Sequence, residues 1–442
     1  LVYQPFRGWE VKFDFELDRQ HRALFFQAVE KQSPGSLAGE IRRWVVEQLD
    51  PLVKQTPHYL LSGFNFLGVM YVMGFIGFED YVALRSPSGL SARASEAIRD
   101  RLKEFLDPGQ DRTKHWLNWA SQYESLTLRP GPMPSHWLKI LSQPDLEPWI
   151  SDPQIADQLP FYVVAFGSRH PARITSLSSL FVVGLSYPHL PLRNTLVMKR
   201  SQIDLAATNV YSQVEWLASQ MMFSEGAVVP FGFMRMREYG LGMDLKFMPM
   251  IPQARTLGDY SKHASLDESL SSWISLVDTL IYGAKAGVLH NDLKGNNILV
   301  DRKRRVFVID YGAATFVDPT PWLLPARTAV VISDAIRDTY NHEIDLVKVR
   351  VGYAPYLPPE VKLGAMKDHS QFSQVYLVGK LVEEFVSQIP VQEDTQEALQ
   401  QLARLVAHCQ RPLARDRPTL LRLKERLEQI QSQLRSILPG PP

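Results

Sequence analysis

HNDLKGNNILV, His290–Val300, followed after a short basic turn by VFVIDYGAA, Val306–Ala314, is the stretch on which the fold depends. Alternation across Val306–Ile309 predicts a strand, and Asp310 falls directly after it. Gly312 permits the sharp bend needed there. Arg302, Lys303, Arg304 and Arg305, between the two segments, read as a solvated hairpin turn in preference to a nucleic-acid contact. Singly, each polar residue has an ordinary reading: Asp292 as a surface or helix-capping acid, Lys294 as a solvated lysine, Asn297 and Asp310 as turn hydrogen-bonding groups. His290 has no accompanying His, Cys or Asp ligand cluster, so it reads as a structural hydrogen-bonding residue and not as a metal ligand or general base.

As a pair, the two segments resemble the catalytic loop and the metal-binding DFG segment of protein kinases, written here as HND and DYG. Downstream YLPPE, ending at Glu360, strengthens the resemblance, which spans Phe161 to the C-terminal helices. It implies an α+β, two-lobed protein-kinase-like fold with an additional mainly helical N-terminal region. The boundaries expected are 1–150 for an accessory or interaction region, 151–250 for a small lobe and 251–442 for a large lobe. ATP and Mg²⁺ are the implied cofactors. Phosphoryl transfer needs an aligned acceptor hydroxyl and screening of the charge on phosphate. In the family's pattern Asp292 orients the hydroxyl and receives its proton, Lys294 neutralises the transferring phosphate, and Asn297 and Asp310 hold the metal.

The small lobe is expected from two strands within Phe161–Leu185, a third at NTLVMKR, Asn194–Arg200, and two more at Val228–Met236 and Gly242–Met250. Val210, Val214, Leu217, Ala218 and Met221 recur at helical spacing between them. Lys199 resembles the small-lobe lysine that contacts ATP phosphates, and Glu215 on the helix is its ion-pair partner in that pattern. An ordinary surface salt bridge is the alternative. Gly167, in AFGSRHPAR, is the one glycine retained from the nucleotide-covering turn, and the missing glycines put ATP affinity in doubt. Phe247 and Met248 read as core residues or as lining of an adenine pocket.

In the large lobe, Ser265 and Glu268 predict a capping box ahead of an apolar helical face running from Leu266 to Ala284. Glu360 is expected to pair with Arg417. Two residues depart from the family: Asn291 stands for the usual arginine of HRD, and Gln374 for an aspartate that steadies the catalytic loop. The first loss removes a route by which a phosphorylated activation segment couples to that loop. The second is expected to cost one ordering interaction. Ser333, Thr339 and Tyr340 are candidate phosphosites. Leu420, Leu423, Leu427, Ile430 and Leu434 predict a terminal helix with one apolar face.

Farther out, Ile41, Trp44, Val45 and Leu49 predict one N-terminal helix, and Ile98, Leu102, Phe105 and Leu106 another that ends near Pro108 and Gly109. Arg129–Trp137 reads as a turn or connection. Tyr59–Phe78 is uncharged and near membrane-spanning length, but its five glycine and asparagine breaks favour a buried or broken segment over a membrane helix. A formal net charge of +1 predicts no nucleic-acid partner, and a single cysteine favours a reducing compartment. The expected activity is therefore ATP-dependent phosphorylation of a protein Ser or Thr hydroxyl by a cytoplasmic enzyme, membrane association being left open. A regulatory protein at the N-terminal region is a further candidate partner. A pseudokinase scaffold and a kinase-like small-molecule phosphotransferase are the alternatives.

Overall fold

The computed structural model describes residues 15–32, 36–51, 65–106, 162–167, 178–186, 195–202, 206–238, 241–318, 338, 356–363, 370–389 and 393–437. They form two compact units, Leu1–Ser212 with Pro230–Met250, and Gln213–Val229 with Ile251–Pro442. Pro108, Gly109, the Arg129–Trp137 stretch, the turn after Gly167 and the candidate phosphosites Ser333, Thr339 and Tyr340 lie outside the described residues.

Among its described residues the first unit opens with α1 (Phe15–Gln32), α2 (Ser36–Arg43), α3 (Phe66–Val72), α4 (Phe78–Leu84) and α5 (Ala92–Leu106). Helix α2 continues as a π-helical turn, Trp44–Leu49. Ile41, Val45 and Leu49 are buried along it with Trp44 partly so, and Ile98 and Leu102 are buried on α5; the side chains of Phe105 and Leu106 lie outside the described residues. Within the described part of Tyr59–Phe78 the chain does not make one long helix. Asn65 caps α3 by accepting from the Gly68 N–H at 2.8 Å, and the chain leaves the helix through Gly74 at φ +75°. Phe66 packs edge-on to Phe25, and Tyr71 packs on Tyr81 and Phe231. Among the described residues no helix is long and apolar enough to cross a membrane.

Five strands follow in this unit: β1 (Tyr162–Gly167), β2 (Ser178–Ser186), β3 (Thr195–Gln202), β4 (Gly232–Glu238) and β5 (Leu241–Pro249). They form one antiparallel sheet in the order β1-β2-β3-β5-β4. The β3–β5 register sets Val197 against Met248, Lys199 against Lys246 and Ser201 against Asp244. Phe231 ties the sheet to the helices: its N–H donates to the Phe247 carbonyl at 3.0 Å, and its own carbonyl accepts from the Asn65 N–H at 2.8 Å. Its ring is buried, between Tyr71 and Tyr81, so helices and strands share an aromatic core.

Helix α6 (Ala206–Met221) leads into the second unit, where its Val214, Ala218 and Met221 are buried. Gly226–Val228 then runs beside β9 (Val306–Val308), with Val308 N–H donating to Gly226 O at 2.8 Å and Val228 N–H to Val308 O at 3.0 Å. A Cβ on Gly226 would stand 1.9 Å from Thr279 Oγ1, a close approach only glycine permits. Next come β6 (Arg255–Thr256), α7 (Leu257–Ser261) and α8 (Leu266–Ala286). The predicted capping box on α8 is present, Ser265 N–H donating to Glu268 at 2.9 Å and Glu268 N–H to Ser265 Oγ at 3.2 Å. Trp273, Leu276 and Val277 line its buried face, and Gly287 closes it in the left-handed conformation at φ 85°.

Beyond α8 lie β7 (Val288–Leu289), β8 (Ile298–Val300), β9 and β10 (Thr315–Phe316), which make a three-stranded sheet β6-β8-β9 and a two-stranded one, β10-β7. The basic turn between β8 and β9 is the expected hairpin; Arg305 bonds Asp301 through its N–H at 2.9 Å and its Nε at 2.8 Å. The unit finishes with α9 (Pro359–Leu363), α10 (Gln371–Val386), α11 (Gln396–Cys409) and α12 (Leu420–Ile437). All five apolar positions predicted for the terminal helix are buried. Its Gln431 donates to Ser271 Oγ of α8 at 2.6 Å.

Candidate active site

The loop between β7 and β8 carries most of the polar residues singled out in the sequence. Asp292 receives two side-chain hydrogen bonds on Oδ2, from Lys294 Nζ at 2.8 Å and from Asn297 Nδ2 at 2.9 Å. Asn297 Nδ2 also donates to the Asp292 backbone carbonyl at 2.8 Å, which fixes both ends of the turn. The Asp292 and Lys294 side chains are 26% and 35% exposed, so both are reachable from solvent. They border a recess whose other wall is Tyr356, Leu357 and Leu377.

The β8–β9 hairpin links this loop to Asp310. Ile298 pairs with Val308, and Ile309 N–H donates to the Asn297 carbonyl at 3.0 Å. Asp310 follows at φ +65°, ahead of a short 3-10 turn, Tyr311–Ala313. An aspartate is among the few non-glycine residues that enter this region. With its nitrogen committed to Asp292, Asn297 turns its side-chain oxygen away from that carboxylate. One amide oxygen and one carboxylate, Asn297 and Asp310, are hard donors of the kind Mg²⁺ accepts while keeping water and phosphate oxygens as its remaining ligands.

His290 behaves as the structural group expected. It is buried, its Nε2 bonds the Ile309 carbonyl at 2.9 Å, and its ring meets Tyr311 edge-on at 4.6 Å. Burial pushes its pKa below the ordinary histidine value, against smaller opposing effects of the Ile309 carbonyl, Asp292 and Asp310. Tyr311 thus uses its large buried ring to brace the bend after Asp310.

Gln374 is bonded to the loop from helix α10. On α10 its Oε1 accepts from the His290 N–H at 3.2 Å, and its Nε2 donates to Asn291 Oδ1 at 2.8 Å. A carboxamide both accepts and donates, so Gln374 makes two bonds to the loop. Asn291 in turn donates to Thr315 Oγ1 at 2.8 Å and to the Ala313 carbonyl at 3.2 Å. Sequence reading missed Thr315, whose proximity depends on β10 pairing with β7.

Glu360 on α9 meets Arg417 in the bidentate pair expected, with both N–H···O distances at 2.7 Å. The Arg417 side chain is fully buried and also donates to the carbonyls of Arg411, Phe372 and Pro412.

Three candidates lie elsewhere in the chain. Gly167 is the last residue of β1, opposite Phe181. Lys199 is on β3 in the first unit, and Glu215, on α6, is buried in the second. Also missed from the sequence were Asp244 and Lys246, both buried on β5. Two charges at alternate positions with Met248 belong to one sheet face, a pattern legible in DLKFM, 244–248, once its strand is known.

Residues 247–438 match the family model for the protein kinase domain. Over 115 residues the chain is 31% identical to the serine/threonine-protein kinase PKH3 of Saccharomyces cerevisiae, covering 26% of this chain and 12% of that protein. Over 92 residues it is 30% identical to the serine/threonine-protein kinase PknD of Protochlamydia amoebophila, covering 21% and 9%. Over 102 residues it is 31% identical to the serine/threonine-protein kinase PDK1 of Cryptococcus neoformans var. grubii, covering 23% and 7%. The chain therefore spans only about a tenth of the length of these relatives. The similarity to protein kinases is thus confined to residues 247–438 of this chain.

Proposed function

We propose that this chain transfers the γ-phosphate of ATP to a Ser or Thr hydroxyl of a protein, with Mg²⁺ as the metal. The observation that carries the reading is the arrangement around Asp292. A partly exposed carboxylate is held by Lys294 and Asn297 on a loop that borders a recess. Asp292 Oδ1 and Oδ2 are the atoms that orient the acceptor hydroxyl and receive its proton. Lys294 is assigned to screening of phosphate charge, supported by its 2.8 Å bond to that carboxylate. Asn297 and Asp310 would hold the metal, which supplies charge neutralisation at the phosphates when bound. Lys199 is assigned to phosphate contact, Glu215 to holding that lysine, and Gly167 to the nucleotide-covering turn; these roles rest on the family's sequence pattern.

Preference for Ser or Thr draws on HNDLKGNN and on the names of the similar kinases. In this reading 151–250 and 251–442 are the small and large lobes, and 1–150 is an accessory region. Support for the last division as part of one fold comes from Phe231, which bonds Asn65 in the helical region and Phe247 in the sheet.

The test compares wild type with Asp292→Asn in Mg²⁺-dependent transfer to a panel of Ser, Thr and Tyr peptides and of small-molecule alcohols. Loss of a positioned general base costs roughly 10²–10⁴-fold, and the variant should keep the thermal transition of the wild type. ATP binding with no transfer by either protein would instead select the regulatory pseudokinase reading.

A further inference from the structure

The two fully buried charges of β5 have no part in the chemistry assigned above. Asp244 and Lys246 are 0% and 1% exposed, and two residues apart on one strand they share a face of the sheet. The register carries that face into β3, where Lys199 stands directly opposite Lys246, and Ser201, also buried, opposite Asp244. On the edge strand β4, Phe233 is in register with Lys246 and Arg235 with Asp244. Lys199, unlike the lysine opposite it, is only partly buried.

This array sets one carboxylate between two lysines. Alternate residues of a strand lie about 7 Å apart along it, and diagonal cross-strand neighbours about 7–8 Å apart, within reach of long side chains. Asp244 is therefore reached at nearly equal span by Lys246 along its own strand and by Lys199 across the sheet. The fully buried lysine has the greater need of it, since an ion taken out of water without a partner carries a large desolvation cost. Lys199 keeps access to solvent. Like charges directly opposite each other repel, so an ammonium at Lys246 also turns that of Lys199 away from the carboxylate.

We propose that Lys246 is a positioning residue: by pairing with Asp244 inside the sheet it withholds that carboxylate from Lys199 and leaves the Lys199 ammonium for nucleotide phosphate. The phosphate contact of Lys199 rests on the phosphotransferase reading; the pairing within the sheet stands apart from it. A buried ion pair is weak evidence for stability, so its effect is to be sought in where Lys199 goes and not in the melting temperature.

Two readouts on the full chain separate these. One is the rate at which an N-hydroxysuccinimide ester acylates Lys199, followed by peptide mass spectrometry; the other is MgATP affinity together with the KM for ATP. Lys246→Met frees Asp244 to pair with Lys199, which holds that amine protonated. Acylation of Lys199 should slow at least fivefold, and MgATP should bind at least tenfold more weakly, with KM rising more than kcat falls. Lys246→Met/Asp244→Asn removes the competing carboxylate and should return both readouts to within threefold of wild type. A void left by a lysine that only packs would not be repaired by changing Asp244 to Asn. Unchanged acylation in Lys246→Met overturns the pairing, as does a double variant no better than the single one. Arg235→Gln slowing the acylation as much as Lys246→Met would also overturn it, by making Arg235 the partner of Asp244. Should Lys246→Met lose the thermal transition of the wild type, Lys246→Gln, which keeps a polar end without the charge, takes its place under the same criteria. Acylation that responds as stated in a protein that binds no ATP removes the nucleotide role of Lys199 and leaves the pairing. ATP binding with unresponsive acylation does the opposite.

Discussion

Glu360 and Arg417, separated by 57 residues in sequence, are joined by two parallel charge-assisted hydrogen bonds of 2.7 Å. Arg417 is fully buried, so its positive charge depends on this carboxylate and on three carbonyls. Removing one partner of a buried pair leaves the other uncompensated, at a cost of about 3 kcal/mol or more. Glu360→Ala should therefore lower unfolding stability by about that amount in a denaturant titration. An unchanged midpoint would show that the carbonyls alone suffice for Arg417.

The same pair gives a pH dependence with a defined sign. Burial acts to raise the Glu360 pKa, and the hydrogen bonds and charge of Arg417 outweigh it, leaving the carboxyl below its ordinary value. A depressed folded pKa means stability that is fully present above the unfolded carboxylate value of about 4.3 and is lost as pH falls through the folded one. Glu360→Gln should lack that acid-side loss, so its stability difference from wild type should shrink below about pH 4. Parallel curves across that window would contradict the assignment.

Asn297 donates to a carboxylate, and aspartate at that position cannot. Asn297→Asp would set two carboxylates about 3 Å apart, an arrangement in which both do not ionise together near neutrality. Transfer activity is expected to fall at least about 100-fold at pH 7, with a new inflection in the pH–rate profile above the ordinary carboxylate range. A profile without that inflection would place the two side chains apart during turnover.

Cys409 is buried, and burial pushes its thiol pKa up to about 12, only partly offset by Arg417. Its Cβ would lie 2.7 Å from a Cβ added at Gly379, which shows how closely α10 and α11 approach. Alkylation by iodoacetamide at pH 8 should be at least about 100-fold slower in native protein than in denaturant, since the thiolate is the reactive form. Gly379→Ala should destabilise by about 1–3 kcal/mol through overpacking and speed that alkylation.

Phe231 tests whether the N-terminal helices and the sheet are one cooperative body. Its ring lies 5.2 Å from Tyr71 and 6.0 Å from Tyr81 between ring centroids. Phe231→Ala should cost about 3–5 kcal/mol and expose sites in α3 and α4 together with sites in β4 and β5 to limited proteolysis. Proteolysis confined to the helices would mean that they open independently of the strands.

Much of the second unit was legible in the residues because its signals are local. The capping box of Ser265 and Glu268, the hairpin at Arg302–Arg305 and the apolar face of α12 each depend on side chains within a few positions of one another. The Glu360–Arg417 pair was legible for a different reason, the resemblance of its flanking motifs to a family pattern. The partners of Gln374 were not legible in this way, because His290 and Asn291 lie 84 and 83 residues away in sequence.

The sequence by itself determined the periodicities, the caps and the pairing of HND with DYG, since these follow from chain geometry over short distances. Only the tertiary structure decided that Gln374 and Asn291 complete each other across 83 residues, that Tyr59–Phe78 yields a short capped helix from Asn65 onward, and that Phe231 joins helices to strands. The physical reason is that a buried polar group is judged by what stands opposite it, and the partner is supplied by the fold.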